Sequence, residues 1–155
     1  MTGSCVFCAI VAGKTAASVV HQDEHTMTFI DLRQFHPGHV LVIPRRHFPD
    51  IRDMDELSAH AVMSAVMRAS RALTAEFPND GVSIWHSAGE GANQEVPHAH
   101  FHVHPRYVGD KVLQIYPAGP ALPERAVLEE LASRLASRFH GPACSYEHGD
   151  PTSPE

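Results

Sequence analysis

The chain has 155 residues, 43% of them apolar and 19% charged, which suits one domain with its own core and leaves little room for a second. A formal net charge of −6 excludes bulk attraction to nucleic acid, and no apolar run approaches the roughly 20 residues that span a bilayer. Residues 1–12 lack a basic segment followed by an apolar signal core, so a soluble, cytoplasmic protein is expected.

In chain order, Cys5 and Cys8 come first, a C-x-x-C pair followed by a short apolar helical turn over residues 6–11 that Gly13-Lys14 ends. With Cys144 the cysteines number three, an odd count that is no disulfide framework, so the pair points to metal binding or redox use. Residues 18–21 and 26–31 read as a β-hairpin around a polar turn. After the turn signal Pro37-Gly38, residues 39–44 (H-V-L-V-I-P) read as a buried strand stopped by proline. Asp53 and Glu56 match a capping box, and Val62, Met63, Val66, Met67, Ser70, Leu73 and Phe77 recur at helical spacing, which predicts a long helix over residues 54–77. Residues 81–86 form a further strand, and a Gly-rich loop over 88–93 feeds a last strand over 94–108. A second amphipathic helix is expected over 123–139, with Val127, Leu128, Leu131 and Leu135 on one face. The order gives an α+β antiparallel domain over residues 1–140 and a polar, disordered tail over 141–155. Edge strands of such a sheet favour a homodimer.

The 13 histidines cluster, most densely in P-H-A-H-F-H-V-H-P-R. On a strand, alternation places His98, His100, His102 and His104 on one side while Ala99, Phe101 and Val103 pack the other. One such histidine would be a solvated polar residue; four in strict alternation call for a common site. Neutral imidazole also ligates zinc, copper or nickel, and spacing alone leaves a metal cluster open.

The segment Gln94-Glu95-Val96-Pro97-His98-Ala99-His100-Phe101-His102-Val103 resembles the signature of the histidine triad (HIT) superfamily. So do Cys5-Val6-Phe7-Cys8, Phe29-Ile30-Asp31-Leu32 and Pro37-Gly38-His39-Val40-Leu41-Val42-Ile43-Pro44, at the spacing of bacterial members. The resemblance covers residues 5–106 and implies an antiparallel sheet of about five strands with one long helix and a C-terminal helix. Starting the triad at His98 leaves one mismatch in the two apolar positions that follow it, against two for a start at His100. The triad is therefore His98, His100 and His102, and His104 departs from the pattern.

The resemblance implies an enzyme that cleaves a nucleotide conjugate at the α-phosphate, a nucleoside phosphoramidate or a dinucleoside polyphosphate, through a nucleotidyl-histidine on His100. His102 would contact phosphate or the departing group, and His39 would join the network behind the nucleophile. Asp31 matches the residue that binds the ribose hydroxyls, a role that suits two acceptor oxygens. Phe7, Ile10 and Leu32 would wall a purine base, adenine by resemblance, although plain core packing accounts for such residues equally well. Gln94 and the amides of the preceding loop would line the phosphate. Ser87, Asn93 and Glu95 stand where relatives carry asparagine, glycine and serine; Glu95 is either a proton donor to a leaving amine or a solvated charge. Some bacterial relatives complete a structural zinc site with the histidine after Pro-x-x and the first triad histidine, which implies Zn2+ on Cys5, Cys8, His47 and His98. Two other readings stay open: a non-catalytic nucleotide-binding module, and a metal-handling protein using the four clustered histidines.

Overall fold

In the computed structural model, which describes residues 5–112, 119–120 and 122–139, the first element is α1 (Val6–Val11), closed at Ala12 by backbone bonds to Cys8 and Ile10. Strands β1 (Val19–Gln22) and β2 (Thr26–Ile30) follow as a hairpin. Asp23 holds its turn by accepting from the Thr26 N–H (2.7 Å) and the His25 N–H (3.0 Å). Next come β3 (Val40–Pro44), α2 (Glu56–Glu76), β4 (Gly81–Trp85) and β5 (Phe101–Arg106). The strands form one antiparallel sheet in the order β1-β2-β3-β5-β4, so the unit is an α+β domain. The described residues fall into two compact units, one ending at residue 112 and one holding the C-terminal helix α3 (Arg125–Phe139). In α3, Val127, Leu128, Leu131 and Leu135 share a helical face and Arg125 pairs with Glu129 one turn on. The tail expected over 141–155, with Cys144, lies outside the described residues.

Register explains the layering. Val40 opposes Val103 and Val42 opposes Phe101, so these side chains share a face, and α2 covers it with Val62, Ala65, Val66 and Leu73. Each Val, Leu or Phe among them taken fully out of water contributes on the order of 1.5–3 kcal/mol before entropy is counted. On the other face, Leu41 and Ile43 meet Phe29, Met27 and Phe7 from α1. Because β3 is central and covered on both sides, all five of its residues are buried, which is why its sequence reads as an unbroken apolar run.

Three expectations shift. The N-cap of α2 is Asp55, whose carboxylate accepts from the Ser58 N–H at 2.7 Å; Asp53 is taken up by a short 3-10 turn (Ile51–Asp53) capped by Asp50, so no Asp53–Glu56 capping box forms. Met63 and Met67 sit a step around the helix from Val62 and Val66 and are exposed. The last strand begins at Phe101, not at residue 94. Pro97 has no N–H to give, the His98 N–H turns back to the Val96 carbonyl (2.8 Å), and the Ala99 N–H is taken by Phe48 (2.7 Å). His98 and His100 therefore stand in a turn ahead of the ladder.

Candidate active site

The face of the sheet turned away from α2 carries the histidines, because His102 opposes both Leu41 and Trp85 and His104 opposes Ser83. Ala99, Phe101 and Val103 are buried on the opposite side, but the four imidazoles do not open onto one site. Each has its own surroundings.

His98 is fully buried; its Nε2–H donates to the Pro44 carbonyl (2.9 Å), so Nδ1 keeps a lone pair. That lone pair points into a cluster with Cys5 Sγ at 3.5 Å, Cys8 Sγ at 3.6 Å and His47 Nδ1 at 3.3 Å, while Cys8 Sγ lies 3.3 Å from His47 Nδ1. Tetrahedral zinc, with Zn–S of about 2.3 Å and Zn–N of about 2.0–2.1 Å, calls for S···N near about 3.5 Å and N···N near about 3.3 Å. The donor set and its spacings fit that ion, and the Pro44 bond to the far nitrogen is the outer support that metal-bound histidines ordinarily have. Burial, and then the adjacent Cys5, push the Cys8 thiol above its ordinary value, a cost that a shared cation reverses.

His100 donates from Nδ1 to the His98 carbonyl at 2.7 Å, which leaves Nε2 unprotonated. Burial, the dominant cause, lowers its pKa and keeps the ring neutral. Phe7 meets the ring edge-on at 5.3 Å. The backbone beneath is clamped by His86: its Nδ1–H donates to the His100 carbonyl (2.8 Å) and its Nε2 accepts from the Ile51 N–H (3.2 Å). With both nitrogens committed, His86 serves to position the backbone that carries His100.

His102 donates from Nδ1 to Nε2 of His39 (2.9 Å), since the Nδ1–H of His39 is given to the Arg33 carbonyl (3.0 Å). Asp31 Oδ2 lies 3.7 Å from His39 Nε2 and 3.8 Å from His102 Nδ1. The Trp85 ring stacks on His102 at 4.4 Å and 3°. Burial, then the neighbouring His100 and His39, lower the His102 pKa to about 3. His104 is buried among His39, His36 and Trp85, donates from Nδ1 to the Pro105 carbonyl (2.6 Å), and is part of the packing behind the site.

The turn over residues 31–39 is tied by Gln34. Its Oε1 accepts from the N–H groups of Gly38 (2.9 Å) and His39 (3.2 Å), and its Nε2 donates to the carbonyls of Asp31 (2.7 Å) and His39 (2.8 Å). Gly38 has φ +103°, and a Cβ there would meet the Phe77 ring at 2.8 Å, so this turn against α2 requires glycine. Asn93 has φ 59°, a left-handed conformation that asparagine tolerates in place of glycine.

Two cavities share these groups. An apolar one of about 220 Å3 is walled by Phe7, Ile10, Phe29, Leu41 and Val96 and reaches Asp31, His100 and His102. Leu32 lines it too, but is 99% exposed, so it is a rim residue and not core. A polar one of about 370 Å3 is lined by His39, Trp85, Ser87 and Asn93, again with Asp31, His100 and His102. Arg33 and Glu95 line both. Gln94 lines neither; its amide accepts from the Gly89 N–H (2.7 Å) and donates to the carbonyls of Pro49 (2.6 Å) and Val96 (3.0 Å), bracing the loop instead of facing a ligand. Sequence reading did not single out Trp85, His86, Arg33 or Gln34. Trp85 alone left a signal, as the chain's only tryptophan near the end of a strand.

Residues 12–109 match the model of the HIT domain. The protein Hit of Bacillus subtilis is 38% identical over 104 residues, 67% of this chain and 72% of that protein. The crystal structure of a HIT family member from Bacillus subtilis superposes with a TM-score of 0.82 at 32% identity, covering 88% of this chain and 97% of that one. A zinc-bound histidine triad family protein from Mycobacterium smegmatis superposes with a TM-score of 0.66 at 34% identity, covering 87% and 97%. With the family's motif, sheet and domain model all present, the chain belongs to the HIT domain family.

Proposed function

We propose that this protein is a nucleotide hydrolase or transferase that cleaves at the α-phosphate of a nucleoside phosphoramidate or dinucleoside polyphosphate through a nucleotidyl-histidine on His100. The observation that carries the reading is the state of His100: a neutral ring, its Nδ1–H anchored on a carbonyl and its Nε2 lone pair free, beside an apolar chamber that also reaches the carboxylate of Asp31. The chamber suits a purine, adenine by family resemblance, with Phe7 and Ile10 against the base and Asp31 accepting from the ribose hydroxyls. Ser87, Asn93 and Glu95 then flank the phosphates in the polar cavity.

In the first half-reaction Nε2 of His100 bonds to the α-phosphorus as the bond to the leaving group breaks, the electron pair departing with that group; an oligophosphate leaves as its anion, and an amine leaves after taking a proton from solvent. In the second, water attacks the phosphorus, the P–N bond breaks, and its pair returns to Nε2. His102, on the same cavity, would contact a phosphate oxygen or the departing group, its ring held by the Nδ1–H bond to His39 with Asp31 beside both, and the proton of the water passes to solvent. Zinc held by Cys5, Cys8, His47 and His98 would be structural, a closed four-ligand site that pins α1 to the turn carrying His100 and keeps His98 out of the chemistry. A cysteine pair aimed at a metal suits the reducing cytoplasm. Edge strand β4 with its exposed Ile84 supports a homodimer.

Intact-mass analysis after mixing with AMP conjugates tests the reading. A nucleotidyl adduct is expected in the native chain, and loss of turnover with retained nucleotide binding in His100→Ala. Turnover that survives His100→Ala refutes it.

A further inference from the structure

Arg33 is the one arginine or lysine among the described residues lining either cavity, and its side chain is taken by a partner 62 positions away. Nη1 donates to Glu95 Oε1 (3.1 Å) and Nη2 lies 2.9 Å from Oε2. Both side chains are largely in solvent, 71% and 66% exposed, so the pair contributes little to stability and exchanges partners readily. The Arg33 backbone, by contrast, is fixed: its N–H donates to Asp31 Oδ1 (2.7 Å) and its carbonyl accepts from His39. The guanidinium can therefore swing without moving the backbone that positions Asp31 and His39, giving up only a 4.0 Å contact between its Nε and Asp31 Oδ1. Hydrogen bonding and charge from Arg33 hold the Glu95 carboxyl below its ordinary range, so Glu95 accepts hydrogen bonds and has no proton to hand to a departing amine.

We propose that the Arg33–Glu95 ion pair is a specificity determinant that sorts leaving groups by charge, with an oligophosphate displacing Glu95 and taking the Arg33 guanidinium in its place. The inference rests on the reading of His100 as nucleophile. As Nε2 bonds to the α-phosphorus, the bridging P–O bond breaks and its electron pair stays on the oligophosphate oxygen, a stable anion that needs no proton in order to leave. Guanidinium can meet phosphate oxygens with two parallel hydrogen bonds, so the exchange keeps the guanidinium paired with an anion while placing positive charge where negative charge accumulates. An amine leaving group gains nothing from Arg33 and receives no proton from Glu95.

The test is the ratio of kcat/KM for diadenosine tetraphosphate to that for AMP morpholidate, a phosphoramidate. Arg33→Gln lowers the ratio by about tenfold or more, Arg33→Lys recovers only part of it, and Glu95→Gln, which frees the guanidinium, raises it. A ratio unchanged within about twofold in Arg33→Gln, or lowered by Glu95→Gln, overturns the proposal. Should no adduct form on His100 with either substrate, the nucleophile reading fails and the selector is judged by equilibrium binding. Arg33→Gln must then weaken adenosine 5′-tetraphosphate more than AMP, and equal weakening of both overturns it.

Discussion

Replacing Gly38 by alanine bears on the link between fold and site, because this residue lets the 31–39 turn deliver His39 to His102. Two costs follow from the structure. A φ of +103° is foreign to a residue with a Cβ, worth roughly 1–2 kcal/mol, and the added methyl would lie 2.8 Å from Cδ2 and 3.0 Å from Cε2 of Phe77, an overpacking worth roughly 1–3 kcal/mol. Alanine also restricts the unfolded chain, which returns about 0.4–1 kcal/mol. The net expectation is a loss of about 2–4 kcal/mol, read from urea denaturation midpoints at unchanged slope. A double-mutant cycle separates the terms: in a Phe77→Ala background the steric part disappears and Gly38→Ala costs only about 1 kcal/mol. Equal costs in the two backgrounds, or a loss below about 0.5 kcal/mol in the native one, refute the geometric argument.

Metal analysis of the purified chain should find one zinc per protein, and Cys5→Ser or Cys8→Ser should abolish it while His104→Asn leaves it in place; metal that survives loss of a cysteine contradicts the four-ligand assignment. Stability should also fall with acid. His100, His102 and His104 have folded-state pKa values lowered by burial, to about 3 for His102, so the unfolded chain binds protons first once the pH drops below about 6.5. Their stabilisation is complete above that pH and is lost as the pH falls toward the folded values, by up to about 1.4 kcal/mol per pH unit for each fully shifted histidine. Denaturation midpoints for the chelator-treated protein between pH 7.5 and pH 5 check the slope, which should be smaller in His102→Asn; a flat profile contradicts the burial argument.

The amino-acid sequence by itself determined the order of elements, the α+β class, the buried central strand and the histidine register, because these depend on local signals: period-2 and period-3.6 patterning, proline and glycine punctuation, and a motif short enough to read directly. Through family resemblance it also pointed to Cys5, Cys8, His47 and His98, which the structure brings together in one cluster. Tertiary structure decided what surrounds each histidine. Strand alternation predicted four equivalent imidazoles, whereas Pro97 and the Ala99–Phe48 bond delay β5 until Phe101, which turns His98 toward the cysteines and leaves His100 clamped by His86. Which residues face His102 follows from strand order, since β5 inserts between β3 and β4 and so brings Trp85 across from it, a pairing invisible along the chain. The Arg33–Glu95 pair has the same origin. Opposite charges in two distant loops attract only after the sheet has brought those loops over one site, and long-range contact of that kind has no local signature.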